Sequence, residues 1–226
     1  MSFARASLTR LLQLASPALP VGAYSYSQAL EWAVEAGTIH DAGSAQGWIM
    51  DGLRHVVGHC EAPLWLQLYD VWQLDDVARA RELNDWFIAT RETAELRAET
   101  LQMGYSLARL LGELNEPCAV LLRDWPEVTF VAGFSCVCVE WRVERLAGLA
   151  AYLFAWVENQ VAAALKAVPL GQVAGQKIVI AAHAVVEEVL VAAVERAEQN
   201  QLSTWAPGFA IASARHETQY SRLFRS

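Results

Sequence analysis

The sequence predicts an all-α fold, a single-domain multi-helix bundle that ends in a C-terminal docking tail. Apolar residues recur at helical spacing from one end of the chain to the other, with no sustained strand-type alternation and no long internal repeat. Proline and glycine fall between the periodic segments rather than inside them. A chain of 226 residues, 54% hydrophobic, with a mean hydropathy of +0.21, can bury one large core. Residues 1–202 are therefore assigned to an all-helical domain and 203–226 to a linker and partner-binding tail.

Leu8, Leu11, Leu12 and Ala15 form one face of a first helix, which must stop near Ser16 because Pro17 disfavours helical geometry in the residue before it. Residues 17–22 are a loop. Ser25 and Gln28 have the spacing of a capping box for a second helix through Glu35, and Gly37 stands where a C-terminal glycine cap belongs. Further helices are expected over 44–60, 62–73, 75–90 and 92–114, with a break at Asn115-Glu116-Pro117. Residues 130–141 are rich enough in Val, Cys and Phe for a short strand, but their helical neighbours favour helix. Two long helices follow, 145–166, stopped before Pro169, and 171–198. Residues 201–208 are a turn-rich linker.

The net charge of −8 excludes the basic stripe of a nucleic-acid binder. Its distribution is uneven: residues 203–226 carry Arg215, Glu217, Arg222 and Arg225, a net of +2, so residues 1–202 carry −10. A basic tail on an acidic body suits an acidic socket on another protein. Residues 146–168 and 178–194 are the most apolar stretches. Glu158-Asn159-Gln160 interrupts the first, and His183 with Glu187-Glu188 the second, which argues against membrane spans. Cys60, Cys118, Cys136 and Cys138 accompany an N-terminus with Arg5 and Arg10 in an amphipathic pattern rather than a secretory signal, so a cytoplasmic location with reduced thiols is expected. Nine Trp fit both a Trp-rich core and interface anchors, the core accounting for most.

Catalytic and cofactor signatures are not found. Gly171-x-x-x-Gly175-Gln176-Lys177 has the wrong spacing for a phosphate-cradling loop, so the chain by itself is not expected to bind GTP. No metal site is expected. The nearest candidates are His55 and His59, one helical turn apart, with Cys60 and Glu61 beside them; two such histidines are more often packing than ligands. Cys136 and Cys138 read as small buried side chains. Glu31 favourably meets a helix dipole, and Lys166 sits in the last turn of an apolar helix. Of Glu158, Asn159 and Gln160, at least one must face inward and find hydrogen-bond partners.

The last eleven residues depart from the frayed, polar end typical of chains. Tyr220, Leu223 and Phe224 share helical spacing with His216 and Gln219, leaving Arg222 and Arg225 on the other side. Ordering such a tail costs about 1–2 kcal/mol per residue, and burying its three apolar side chains returns roughly 1.5–3 kcal/mol each. The near cancellation predicts a tail that is disordered or loosely packed alone and orders on a partner; the alternative, which the same balance leaves open, is a tail that folds back on its own domain.

Four stretches together resemble the urease accessory protein F (UreF) family: residues 12–28 (LQLASPALPVGAYSYSQ) running into 30–37 (LEWAVEAG), 91–96 (RETAEL), 166–172 (KAVPLGQ) and 212–226 (ASARHETQYSRLFRS). Ala23 replaces a glycine frequent in the family. The resemblance implies a non-enzymatic, cofactor-free helical protein that dimerises and acts in nickel insertion into apo-urease. Its implied partners are a scaffold accessory protein, D or H, and the GTPase accessory protein G. It further implies that the N-terminal helix, roughly Phe3 to Ala15, and a tail comprising Arg215, His216, Tyr220, Arg222, Leu223, Phe224 and Arg225 contact the scaffold, and that Glu31 and Lys166 face the GTPase.

Three mechanisms follow from that resemblance. An adaptor holds the GTPase productively and couples hydrolysis to nickel delivery. A GTPase-activating protein inserts a charge at the phosphates, for which Lys166 lacks the planar fork of arginine. A stand-alone nickel chaperone requires His55, His59 and Cys60 to hold metal. The adaptor is favoured.

Overall fold

A computed structural model describes residues 5–226, and Phe3, in the predicted N-terminal contact, lies outside them. Eleven α-helices, and no strand, occur among the described residues: α1 (Arg5–Leu14), α2 (Leu30–Glu35), α3 (Ala42–Asp51), α4 (Glu61–Gln73), α5 (Val77–Ala89), α6 (Ala94–Glu113), α7 (Cys118–Arg123), α8 (Phe130–Glu140), α9 (Arg145–Ala167), α10 (Gln172–Glu198) and α11 (Pro207–His216).

The centre is the contact of α4 with α8, two helices buried over most of their surface, α4 keeping only a narrow polar edge at Gln67, Asp70 and Gln73. Residues 61–66 and 131–138 are buried without interruption, so each helix must be covered all round, and α5, α6, α9 and α10 do this. The all-round apolar pattern that left residues 130–141 ambiguous as a strand is that of a core helix. Of the nine tryptophans, Trp65, Trp72, Trp125 and Trp141 are buried, whereas Trp205 is 82% exposed. All four cysteines are buried and unpaired. Burial pushes the Cys60 thiol up to about 12 and raises Cys138; a Cys118 contact followed by burial raises Cys136. These thiols act as apolar packing.

Helix ends follow local chemistry. Asp41 and Ser44 form a reciprocal capping box on α3, while Thr129 caps α8 and Glu144 caps α9. Asp75, Asn115, Arg142 and Asn200 take left-handed backbone just past α4, α6, α8 and α10, as Gly37 does after α2. The amides of Asn115 and Glu116 close on Gly112 and Leu111, the Schellman pattern.

The structure departs from the sequence expectations in four places. The helix expected over 44–60 is two pieces, because residues 52–57 adopt the wider π geometry, with Gly58 N–H donating to Leu53 C=O at 2.9 Å. The Ser25 capping box does not form: residues 23–25 make a 3₁₀ turn, and α2 begins only at Leu30 after Ala29. The short α7 shows no readable periodicity, its six residues making fewer than two turns. On α1 the predicted apolar face is partly open, with Leu8 and Leu12 exposed while Leu14 carries the burial.

Two glycines of α6 make opposite predictions. A Cβ on Gly104 would lie 2.0 Å from the Val128 carbonyl oxygen, whereas one on Gly112 meets nothing within 4 Å. Gly104→Ala is expected to lower stability by about 1–3 kcal/mol or more through overpacking against backbone. Gly112→Ala should raise it by about 0.4–1 kcal/mol by restricting the unfolded chain. Urea denaturation of the two variants checks both signs.

Candidate functional site

The four sequence stretches that stand out meet in one place, a clasp that holds the C-terminal tail against α2 and α6. Its geometry begins with strained backbone. Gln28 and Ala29 have φ of 50° and 65°, a left-handed conformation that costs a non-glycine residue roughly 1–2 kcal/mol. The reversal directs Ser27 toward the tail and Gln28 inward. Gln28 Oε1 accepts from Trp156 Nε1 at 2.8 Å, and its Nε2 donates to Glu99 at 2.8 Å. The reversal also starts α2 so that Glu31, in its first turn, faces the tail.

Glu31 is buried, and both of its oxygens are occupied. Oε1 accepts the Leu223 amide at 2.7 Å; Oε2 accepts the Phe224 amide at 3.1 Å and lies 3.3 Å from His216 Nε2. His216, fully buried, places its Nδ1 2.6 Å from Glu95 Oε2, and Arg222 donates to the other Glu95 oxygen at 2.5 Å. The tail also completes α6: Glu217 accepts the Ala94 and Glu95 amides, while Thr93 caps Leu96 and bonds Ser213. These are three of the amides a helix N-terminus leaves open. The tail then runs beside residues 25–27. The Arg225 amide donates to Ser25 C=O at 2.7 Å, the Ser27 amide donates to the Ser226 oxygen at 2.7 Å, and Ser226 Oγ donates to Glu99 Oε2 at 2.8 Å. Phe224 is buried, and Lys166 Nζ lies 5.5 Å from its ring centroid and 5.7 Å from that of Tyr24.

Beneath the clasp is a second polar layer. Glu61 accepts from Arg91 at 3.3 Å and from the Tyr152 hydroxyl at 2.6 Å. Arg91 stacks 4.0 Å over Phe87 and reaches Cys60 Sγ at 3.7 Å. Burial first, then the Glu61 carboxylate, holds the Tyr152 phenol well above its ordinary range. Burial lifts the Glu99 carboxyl to about 7 against the hydrogen bonds of Gln28 and Ser226. A partly open cavity of ≈ 80 Å³ adjoins Glu61, Arg91, Glu99, Tyr152 and Asn159 under residues 15–24.

The tail corrects two expectations. It is not a continuing helix, since α11 ends at His216, and the shared stripe of Tyr220, Leu223 and Phe224 is split. Phe224 is buried, while Leu223 and Tyr220 are exposed and point outward. Nor is the tail loose. Weighing apolar burial alone omitted the charge-assisted bonds to Glu31 and Glu95, and such bonds contribute roughly twice what neutral ones do. One of its cations meets an acid of this chain, Arg222 pairing with Glu95, whereas Arg225 bonds the Tyr26 hydroxyl. Arg215 is exposed.

Elsewhere, His55 and His59 stand edge to face with ring centroids 5.8 Å apart, His55 exposed, and Cys60 is turned inward to Arg91. Among the described residues no three metal-ligating side chains cluster, and no helix is long and apolar enough to cross a membrane. Gln160 is buried as expected, yet neither atom of its amide has a partner among the described residues; Asn159 donates to Tyr26 C=O. Glu95, Glu99, Glu217 and Ser27 were not singled out from sequence. One signal was available: Glu99 falls among Leu96, Met103 and Leu107, at helical spacing on the apolar face of α6, so a carboxylate was placed in the core.

Comparison with known proteins gives a concordant result. The UreF family model matches residues 39–183. The urease accessory protein UreF of Cupriavidus necator is 54% identical over 224 residues, covering 97% of each chain. That of Dechloromonas aromatica is 50% identical over 223 residues, again covering 97% of each chain. The bifunctional urease accessory protein UreEF of Bordetella bronchiseptica is 50% identical over 224 residues, 97% of this chain and 52% of that protein.

Removing the central acceptor tests the clasp. Glu31→Ala leaves the Leu223 and Phe224 amides without their acceptor, and hydrogen bonds to a charged group contribute about 1.5–3 kcal/mol. Hydrogen-exchange protection of those two amides is expected to fall by roughly 10–150-fold while far-ultraviolet circular dichroism is unchanged.

Proposed function

The chain belongs to the UreF family of urease accessory proteins, and we propose that within urease maturation it is an adaptor, holding scaffold accessory protein D or H through its tail and the GTPase accessory protein G through a patch around exposed Lys166, which the buried Glu31 supports from beneath by fixing Phe224. The observation that carries this reading is the division of labour along the tail. Its backbone and Arg222 are committed to the body, while Tyr220 and Leu223, with Ile211 and Trp205 nearby in sequence, remain exposed. Exposed aromatic and aliphatic side chains on a fixed backbone are what a partner needs from an anchor, because little ordering entropy is left to lose on binding.

A second observation favours an adaptor over an activating finger. Lys166 lies against the rings of Tyr24 and Phe224, and Phe224 is also held by Glu31. Both residues assigned to the GTPase therefore touch the segment assigned to the scaffold. A contact made on one side alters the surface offered on the other, which is the coupling an adaptor supplies. The bifunctional urease accessory protein UreEF of Bordetella bronchiseptica, whose name joins two accessory proteins in one polypeptide, supports close physical cooperation among such proteins. Exposed Leu8, Leu12, Val173, Ile180 and Val191 supply further apolar surface for partners, a second copy of the chain among them. The buried, unpaired cysteines suit a cytoplasmic site of action. In this reading the protein is not an enzyme, and apo-urease is reached through the complex.

Co-purification of the full chain with the scaffold and the GTPase tests the assignment. The exposed pair Tyr220→Ser with Leu223→Ser is expected to weaken scaffold capture about tenfold or more with an unchanged urea midpoint. Lys166→Ala should lower GTPase capture and spare the scaffold. Scaffold capture by the double variant at the wild-type level would overturn the reading.

A further inference from the structure

Among the acids of the clasp, Glu99 is the odd one. Glu31 accepts two backbone amides and faces His216, Glu95 meets Arg222 and His216, and Glu61 meets Arg91 and Tyr152. Glu99, 6% exposed, has only two neutral donors, Gln28 Nε2 and Ser226 Oγ, and no ion-pair partner among the described residues. We propose that Glu99 is a protonation-sensitive latch for the C-terminal tail, its neutral acid favouring the seated tail and its carboxylate favouring release.

The chemistry of the two partners sets the direction. A serine hydroxyl donates to a carboxylate and equally accepts from a carboxylic acid, so the Ser226 contact survives protonation. What changes is the solvation of the charge. A buried carboxylate held by two neutral donors is poorly compensated by the few waters a small cavity can hold, and withdrawal of Ser226 and Phe224 opens it to bulk solvent. The groups facing it do not reverse this. Glu61 at the start of α4 repels the charge and Arg91 attracts it more weakly than burial opposes it; Tyr152 of α9 and Tyr26, the latter bonded to Arg225, complete the surroundings. The same balance lifts the seated acid to about 7.

The latch can exchange protons without first opening. The ≈ 80 Å³ cavity adjoining Glu99 is also lined by Asn159 and Arg91, residues whose Oδ1 and Nε are buried with no partner among the described residues. Since a water needs about 10–15 Å³ of such space and a few polar contacts, the cavity suits a short chain of waters leading outward.

Because the seated state binds the proton more tightly than an open, hydrated carboxyl does, seating is favoured at low pH. It weakens as pH rises from the ordinary carboxylate range through the seated value, and the loss levels off above it. Between pH 6 and pH 8 this is a loss of up to about tenfold in the seating constant. The inference concerns the seat of the tail and stands whichever partner the tail meets.

Hydrogen exchange of residues 217–226 in the full chain, with rates referred to intrinsic exchange at each pH, reads the seating directly. Wild type should lose about tenfold in protection from pH 6 to pH 8, and Glu99→Gln, a neutral isostere of the acid, should hold protection constant within about twofold. A pH-independent wild type overturns the proposal, as does Glu99→Gln with the wild-type slope, which assigns the titration to another group. If Glu99→Gln loosens the tail at every pH, carbon-13 titration of the wild-type glutamate carboxyls decides. A Glu99 midpoint near neutrality upholds the latch, and one in the ordinary carboxylate range overturns it.

Discussion

The Glu31 carboxylate is the contact on which the clasp depends. Leu223 and Phe224 present their amides to it and His216 adds a ring nitrogen, so one side chain of a six-residue helix fixes a segment almost two hundred residues away in sequence. Seating those amides sets the neighbours. Phe224 falls beneath Lys166, Arg222 reaches Glu95, and Ser226 lies against Ser27 and Glu99. His216 joins both sides of the clasp, its two ring nitrogens lying 3.3 Å from Glu31 and 2.6 Å from Glu95.

Such a site is costly to build. It places Glu31, Glu61, Glu95 and Glu99 in or near the core and puts two adjacent non-glycine residues in left-handed backbone. Buried charge and strain of this kind are poor devices for stability, because apolar residues of similar volume stabilise as well or better. They are effective devices for position and for response, since a carboxylate array holds a backbone in one register and reacts to proton or partner binding. The central contact of α4 with α8 supplies the excess apolar burial that lets the rest of the fold carry the clasp.

The helical body was largely legible. Six of the helices expected from α4 onward occur within about two residues of their expected bounds, because proline, glycine and apolar periodicity act locally. The site was legible in part. The tail was conspicuous by its composition, and Glu31 and Lys166 entered through family resemblance. Glu95, Glu99 and Glu217 were overlooked because each is an ordinary helix or turn residue until a distant segment is brought to it. The apolar positions around Glu99 show that a misplaced charge is readable when its helical face is drawn, although its partner is not.

Sequence alone determined that the chain is an all-helical protein, where most helices begin and end, and that its last residues are too aromatic and too basic to be a frayed terminus. These follow from backbone sterics and local periodicity, which act over a few residues. Tertiary structure decided that Arg222 of the tail meets Glu95 of its own body, that Tyr220 and Leu223 face outward while Phe224 is buried, and that Glu31 and Lys166 meet at that phenylalanine. The reason is physical. Hydrogen bonds between groups separated by more than a hundred residues leave no periodic trace along the chain, and the direction of each side chain in a non-helical tail is set only by the surface it meets.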